Sequence, residues 1–294
     1  MKISQLIDRC AHTLELSQVS FGHGTTNAED EAAWLVLWQL GMPLDIDFNG
    51  DHTNRVVTQE EYRQVQDLIQ LRIRTRKPAA YLTQEAWLQG VSFYVDERTI
   101  VPRSLIAEVL AESIIDPWLS PDTHRVLDLC TGNGSLGILA ALAFPDVSVQ
   151  GLDIAADALA VAQINIERYG LQHRMSLTQS DGLENAIGEF DLILCNPPYV
   201  NSISMSQLPA EFQAEPALAL AGGEDGMDFV RKLLAQVTKH MSAHAVLVIE
   251  IGHERKHFEA AFPHLEVVWL TTSAGDSHVM LVTRSALAAN HLSA

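Results

Sequence analysis

The residues best placed for chemistry are Asn196, Pro197, Pro198 and Tyr199, which end the apolar run "FDLILC". Neither proline has an N–H to donate, so the run cannot continue as a central strand. Both prolines hold φ at about −65° and restrict the residue before them to extended backbone. Asn196 is thereby fixed at the strand tip, with the Pro197 carbonyl beside its side-chain oxygen. Two acceptors with no competing N–H suit a planar –NH2 group, one for each proton. Tyr199 adds a flat face for stacking on an amide or a base.

Three further strand ends carry distinctive residues. In "VLDLCTGNGSLG", Gly132, Gly134 and Gly137 form G-x-G-x-x-G between a strand and a helix. Glycines there let the backbone turn tightly and approach a ligand, and the helix start offers free N–H groups. Asp153 ends the next strand, 21 residues beyond Gly132. Its carboxylate can accept from both hydroxyls of a ribose, or cap the helix that begins at "DIAADALA". Asp181, in "QSD", can accept from an adenine amino group, although Asp before Gly182 is also ordinary turn chemistry. Asp128, Thr131, Gly132, Gly134, Asp153, Asp181 and Asn196 form the candidate cofactor-binding set. The glycine turn and the acid fit any adenosine-bearing cofactor, NAD included.

These residues need a scaffold that brings strand ends together, and the pattern from residue 124 supplies one. "HRVLDL", "VSVQGLDI", "RMSLTQSD", "FDLILCN" and "AVLVIEIG" read as strands. "LGILAALAFP", "AADALAVAQINIERYG" and "GMDFVRKLLAQVTKHM" read as helices between them. Such alternation predicts a mostly parallel sheet covered on both faces. In that arrangement ligands gather at the carboxyl ends of the strands. "LEVVWLTT" and "SHVMLVTR" flank "SAGD" with no helix between, which predicts an antiparallel hairpin at the sheet edge. The tail "SALAANHLSA" is expected to fray.

Residues 1–85 read as a helical domain. "ISQLIDRCAHTLEL", "AEDEAAWLVLWQLG" and "TQEEYRQVQDLIQLRIRT" carry apolar residues at helical spacing. Thr or Asn in "TTNAED" can cap the second, and Thr58 with Glu61 makes a capping box for the third. "GVSFYVDERTIVPR" is β-like and "SLIAEVLAESII" helical, so 86–110 is expected to link this domain to a second one over 111–294.

The 47% hydrophobic and 19% charged content are those of a folded chain rather than a disordered one. No apolar run approaches the roughly 18–20 residues of a membrane span, and charges among the first apolar residues argue against a secretory signal. A cytoplasmic protein without a membrane partner is expected. Cys10, Cys130 and Cys195 are widely spaced and are read as buried free thiols. Nineteen Lys and Arg against thirty-seven Asp and Glu leave a net charge of −18. That balance suits solubility or a basic protein partner and speaks against gripping nucleic acid.

With Asn-Pro-Pro-Tyr, the glycine turn and Asp153 together, the chain resembles the class I S-adenosylmethionine-dependent methyltransferases of amino groups. Within these it is most similar to the protein-(glutamine-N5) methyltransferases. "RKPAAYLTQEAWLQGVSFYVDERTIVPRSLIAEVL" and "AEPALALAGGEDGMDFVRKLL" extend the likeness over roughly residues 76–284. The resemblance implies a Rossmann-like α/β domain with a seven-stranded sheet, preceded by a small helical domain suspected of holding the substrate. It implies S-adenosylmethionine as cofactor, with Asp153 on the ribose, Asp181 on the adenine edge and Gly132–Gly134 on the methionine. Asn196 and the Pro197 carbonyl would bind the substrate amide, and Asn196, Pro197 and Tyr199 would form the catalytic set. "YLTQEAWLQG", "VDERTIVPRS" and "AGDSHVMLV" look like the branch acting on ribosomal protein L-three. The branch acting on the Gly-Gly-Gln loop of release factors commonly has a Gly where Gln84 stands and an Arg where His278 or Val279 stands. The resemblance assigns no role to Arg103 or Glu108.

Other readings explain less. A nicotinamide dehydrogenase, or a binding module without turnover, leaves Asn-Pro-Pro-Tyr without a purpose. A DNA adenine methyltransferase shares the motif but needs a basic surface and a target-recognition domain. "HERKH" (253–257) satisfies H-E-x-x-H, but no third zinc ligand follows it convincingly, and histidines on a solvated helix face are expected instead.

Overall fold

The computed structural model describes residues 1–46 and 55–293, side chains of 291–293 excepted. Residues 47–54, part of the expected helical domain, lie outside the described residues. The chain forms two compact units. One comprises Met1–Ala86 with Leu208–Glu215, the other Trp87–Gln207 with Pro216–Ala294.

The first unit is built on α1 (Ile3–Leu16), α2 (Ala28–Gln39), α3 (Gln59–Thr75) and the short α4 (Ala79–Thr83). α1 buries Ile3, Leu6, Ile7, Cys10, Ala11 and Leu14, the single stripe its spacing predicts. α2 buries residues on nearly every face, Trp34 to Leu37 consecutively, as a central helix must. Asn27 caps it by accepting from the Asp30 N–H at 2.8 Å. The Thr58–Glu61 capping box starts α3, each side chain accepting from the other's backbone N–H. α4 escapes the periodicity because it is a single turn after Pro78, and it ends at Gln84 in the left-handed region (φ 53°).

The second unit begins with a hairpin, β1 (Glu85–Leu88) and β2 (Val91–Tyr94), whose first strand starts before Ala86 ends the helical unit. Then follow α5 (Ile106–Ala111), β3 (Arg125–Leu129), α6 (Ser135–Ala143), β4 (Ser148–Asp153), α7 (Ala156–Arg168), β5 (Met175–Gln179) and β6 (Phe190–Cys195). After the motif come α8 (Ser202–Ser206) and α9 (Ala210–Gln213), the latter inside the excursion that joins the helical unit. The chain returns through α10 (Asp228–Leu234), β7 (Met241–Glu250), α11 (Arg255–Ala261), β8 (Val268–Thr272), β9 (Gly275–Thr283) and α12 (Arg284–Ser293).

The seven-stranded sheet has the order β5-β4-β3-β6-β7-β9-β8. β5 to β7 are parallel, and β9 runs antiparallel between β7 and β8. Alternate residues face opposite layers. Val126, Leu192, Leu194 and Val246 pack with residues of α5 and α6, while Leu127, Ile193, Leu247 and Ile249 pack with α10 and α11. Strand order reverses between β3 and β6, paired as Leu129 with Cys195. Their carboxyl ends therefore open the crevice in which such sheets bind ligands.

Several expectations are corrected. The helix expected over 226–241 stops at Leu234, gives way to a 3-10 turn at Val237–His240, and β7 starts at Met241, ahead of "AVLVI". The tail expected to fray is helical through Ser293. Among the described residues no helix is long and apolar enough to cross a membrane.

Candidate active site

β3 carries the chain to Leu129 and then bends sharply. Cys130 (φ 60°), Gly132 (φ 55°) and Gly134 (φ 83°) all lie in the left-handed region, which glycine adopts without strain and cysteine does not. The Thr131 N–H bonds the Leu152 carbonyl at 2.9 Å. Asp128 lies buried beneath this turn, accepting from the Thr131 hydroxyl and, at 2.8 Å, from the Gly137 N–H. Burial pushes its carboxyl up to about 7, against those hydrogen bonds. Asp128 and Thr131 thus support the turn, and neither lines the cavity above it.

That cavity is walled by Gly132, Asp153, Asp181, Asn196 and Pro198, together with Arg98 and Cys130. Cys130 is therefore only half-buried, unlike Cys10 and Cys195, which correct the reading of three buried thiols to two. Asp153 accepts from the Gly132 and Ala155 N–H groups, each at 2.9 Å and each on a different oxygen. Asp153 faces the cavity just ahead of α7; the cap position is Ala155, and no side chain caps the helix, so the capping role expected as the alternative for Asp153 is not formed. Burial raises its carboxyl, with both N–H bonds pulling the other way. Asp181 stands on the cavity wall, ion-paired with Lys232 at 2.7 Å.

At the end of β6, the Asn196 side-chain oxygen is buried and has no hydrogen-bond partner among the described residues. An unpaired buried acceptor costs about 1–3 kcal/mol, so something must repay it. Pro197 is buried and Pro198 lines the cavity. The Tyr199 hydroxyl donates to Glu250 Oε1 at 3.1 Å. Its ring lies so close to Gly252 that a Cβ there would come within 2.5 Å of it.

Glu250, at the end of β7, is a site residue that sequence reasoning missed. It is buried and also accepts from the Ser104 hydroxyl (2.6 Å) and the Leu105 N–H (2.9 Å). Burial raises its carboxyl despite those bonds and the nearby Arg103 charge. Arg103 donates to the Val101 carbonyl at 3.0 Å, in the same segment. Glu108 serves the β8–β9 turn, accepting from the Ser273 hydroxyl at 2.7 Å.

The motif rests on glycines. A Cβ on Gly222 would lie 2.7 Å from the Tyr199 Cα and 2.8 Å from the Pro198 carbonyl oxygen, and one on Gly226 would strike the Tyr199 carbonyl. Val200 is bonded to this segment on both sides, to the Leu220 carbonyl and the Gly222 N–H. "GGEDG" itself was a signal, since three glycines in five residues mark a close backbone approach.

The histidines of "HERKH" are not presented on one helix face. His253 precedes α11 and pairs edge-on with His278, while His257 meets Glu254.

Comparison with known proteins adds the chemistry of relatives. Residues 105–247 match the family model described as "Methyltransferase small domain". The ribosomal protein uL3 glutamine methyltransferase of Bordetella pertussis is 50% identical, over 97% of this chain and 96% of its own. The protein of that name from Burkholderia pseudomallei is 46% identical, over 98% and 96%. The hMettl16 catalytic domain, crystallised with MAT2A 3'UTR hairpin 1, shares the fold at a TM-score of 0.53 and 14% identity, over 82% of this chain and 85% of its own.

Proposed function

This chain belongs to the family of ribosomal protein uL3 glutamine methyltransferases, and from that premise we propose that it methylates the side-chain amide nitrogen of a glutamine in ribosomal protein uL3, with S-adenosylmethionine as methyl donor. One observation carries the reading: the buried Asn196 oxygen without a partner, in the wall of a cavity shared with Asp153 and the glycine turn.

The residues fit the donor. Each Asp153 oxygen keeps a lone pair for a ribose hydroxyl after its N–H bond. Asp181, half-exposed, can still accept from an adenine amino group. Gly132 leaves open space where any side chain would intrude. When bound, S-adenosylmethionine supplies an electrophilic methyl group on its sulfonium.

An amide nitrogen is a poor nucleophile because its lone pair is delocalised into the carbonyl. The Asn196 oxygen and the Pro197 carbonyl accept hydrogen bonds from its two N–H groups, help it pyramidalise, and stabilise the positive charge that develops during attack. Preorganised acceptors of this kind are worth about 3–4 kcal/mol each. The Tyr199 ring, fixed by Glu250 and Gly252, supports the planar amide. No general base is required, since the alkylated nitrogen is strongly acidic and releases its proton to water.

A net charge of −18 suits attraction of a basic ribosomal protein. We assign substrate holding to the helical domain over 1–85, joined by 86–110 to the catalytic domain over 111–294, and the cytoplasm as the compartment. Separate incubation with uL3, with a release factor and with duplex DNA, followed by mass spectrometry, tests the substrate. Methyl transfer to a uL3 glutamine is expected; a methyl only on the release-factor Gly-Gly-Gln would assign the other branch, and one only on DNA adenine would overturn the protein reading.

A further inference from the structure

The cavity wall holds three charged side chains among the described residues: Asp153, Asp181 and Arg98. An amino-acid cofactor brings a carboxylate that the two acids repel, and burying it unpaired is costly. Arg98 alone offers it an opposite charge.

The guanidinium is already held. Its Nε and Nη2 donate to the two Asp96 oxygens at 2.8 and 2.6 Å, a fork-on-carboxylate pair. Asp96 also accepts from the Tyr94 hydroxyl at 2.8 Å and the Arg98 N–H at 3.1 Å. The hydrogen bonds from Arg98, chief among these, hold the Asp96 carboxyl down at about 2, so it stays ionised. Nη1 makes no hydrogen bond among the described residues, which leaves one edge of the fork for a ligand.

The segment is tied to the end of the cavity where the amino-acid end of the cofactor belongs. Asn165, fully buried on α7, accepts from the Tyr94 N–H at 2.7 Å and donates to the Tyr94 carbonyl at 3.0 Å. The same amide donates to the Asn133 carbonyl at 2.9 Å, inside the glycine turn. One side chain thus sets the start of the 94–98 segment in register with the turn.

We propose that Arg98 receives the carboxylate of the cofactor's amino-acid end, with Asp96 and Tyr94 as positioning residues that hold the guanidinium. This rests on the reading of the cavity as an S-adenosylmethionine site. A bond to a carboxylate from a planar, permanently charged fork predicts that Lys replaces Arg98 only in part.

The test is calorimetric titration of the full chain with S-adenosylmethionine and with its decarboxylated form, which lacks only the carboxylate. The wild type is expected to prefer the carboxylated form. Arg98→Gln should weaken S-adenosylmethionine by about tenfold or more, as for loss of a charge-assisted hydrogen bond, and leave the decarboxylated form nearly unchanged. Arg98→Lys should recover part of the loss, and Asp96→Asn should fall between. Equal weakening of both ligands by Arg98→Gln, or no weakening of either, overturns the assignment. Thermal unfolding of each variant identifies any misfolded one, and Arg98→Lys then carries the same comparison. Failure of the wild type to bind either ligand refutes the cofactor reading itself, and the Arg98 assignment with it.

Discussion

Gly222→Ala is the sharpest probe of the motif's position, because the added methyl meets backbone and nothing else has to change. Gly222 lies outside the left-handed region, so alanine suffers no φ penalty there. Its Cβ would stand 2.7 Å from the Tyr199 Cα, against the 3.4 Å of ordinary contact. The Pro198–Tyr199 backbone must therefore retreat by about 0.7 Å or the 220–223 segment must yield, at roughly 1–3 kcal/mol of overpacking. A misplacement near 1 Å at a reacting centre costs on the order of a hundredfold in rate. The expected outcome is a kcat for methyl transfer reduced by about 10- to 100-fold, with cofactor affinity by calorimetry changed far less, because Asp153 and the glycine turn are untouched. The midpoint of thermal unfolding should fall by roughly 2–4 °C for each kcal/mol of strain. Full turnover alongside the expected loss of stability would refute the claim that the glycines set the acceptor geometry. Loss of cofactor binding in proportion to turnover would show that the cavity, not the acceptor pair, had moved.

Other perturbations reach different links. Asn196→Ala removes the unpartnered oxygen and should lower turnover by about 10²- to 10³-fold in a mass-spectrometric assay, with cofactor binding reduced much less; near-full turnover would remove Asn196 from the mechanism. Asp128, raised to about 7 in the folded chain from an unfolded value of 3.8, binds more protons folded than unfolded between those values. Its contribution to stability therefore falls as pH rises from about 4 to about 7 and is flat above, on the order of 4 kcal/mol in all. In urea titrations the stability of the wild type relative to Asp128→Asn should fall across that window, and a difference independent of pH would contradict the assignment. Arg72 is fully buried and bonds Glu31 at 2.8 Å, Glu211 at 3.2 Å and the Ser20 carbonyl at 2.9 Å. Arg72→Met strands the buried Glu31 carboxylate and leaves Glu211 paired with Arg76 alone among the described residues; it should cost about 3–5 kcal/mol by denaturant unfolding, partly recovered by adding Glu31→Gln and Glu211→Gln. Recovery to no extent would mean that packing, rather than charge, holds the excursion.

The sequence made legible whatever repeats locally. Strands β3 and β4 are each followed by a helix, β6 is a short apolar run, and they lead into the glycine turn, Asp153 and Asn196, so both the sheet and the crevice could be read. The helix expected over 226–241 was misjudged because apolar spacing alone does not register the β-branched Val237 and Thr238, or the need to enter β7 at Met241. α8 and α9 hold five and four residues, too few for any period to show.

The remaining site residues act through partners distant in sequence. Glu250 meets Tyr199 across 51 residues, and Asn165 meets Tyr94 across 71. A buried Glu at the end of an apolar strand has no local mark that distinguishes it from a surface one. Asn-Pro-Pro-Tyr could be read as two acceptors and a ring because those follow from proline geometry. "GGEDG" marks a close backbone approach but not its partner, and Gly252 and Glu250 carry no such mark, so what holds the motif rigid could not be read from these two later segments of the chain. Catalytic groups are written as a short motif because they must be adjacent at one strand tip. The groups that position them need only be adjacent in space, and the fold is free to draw them from anywhere along the chain.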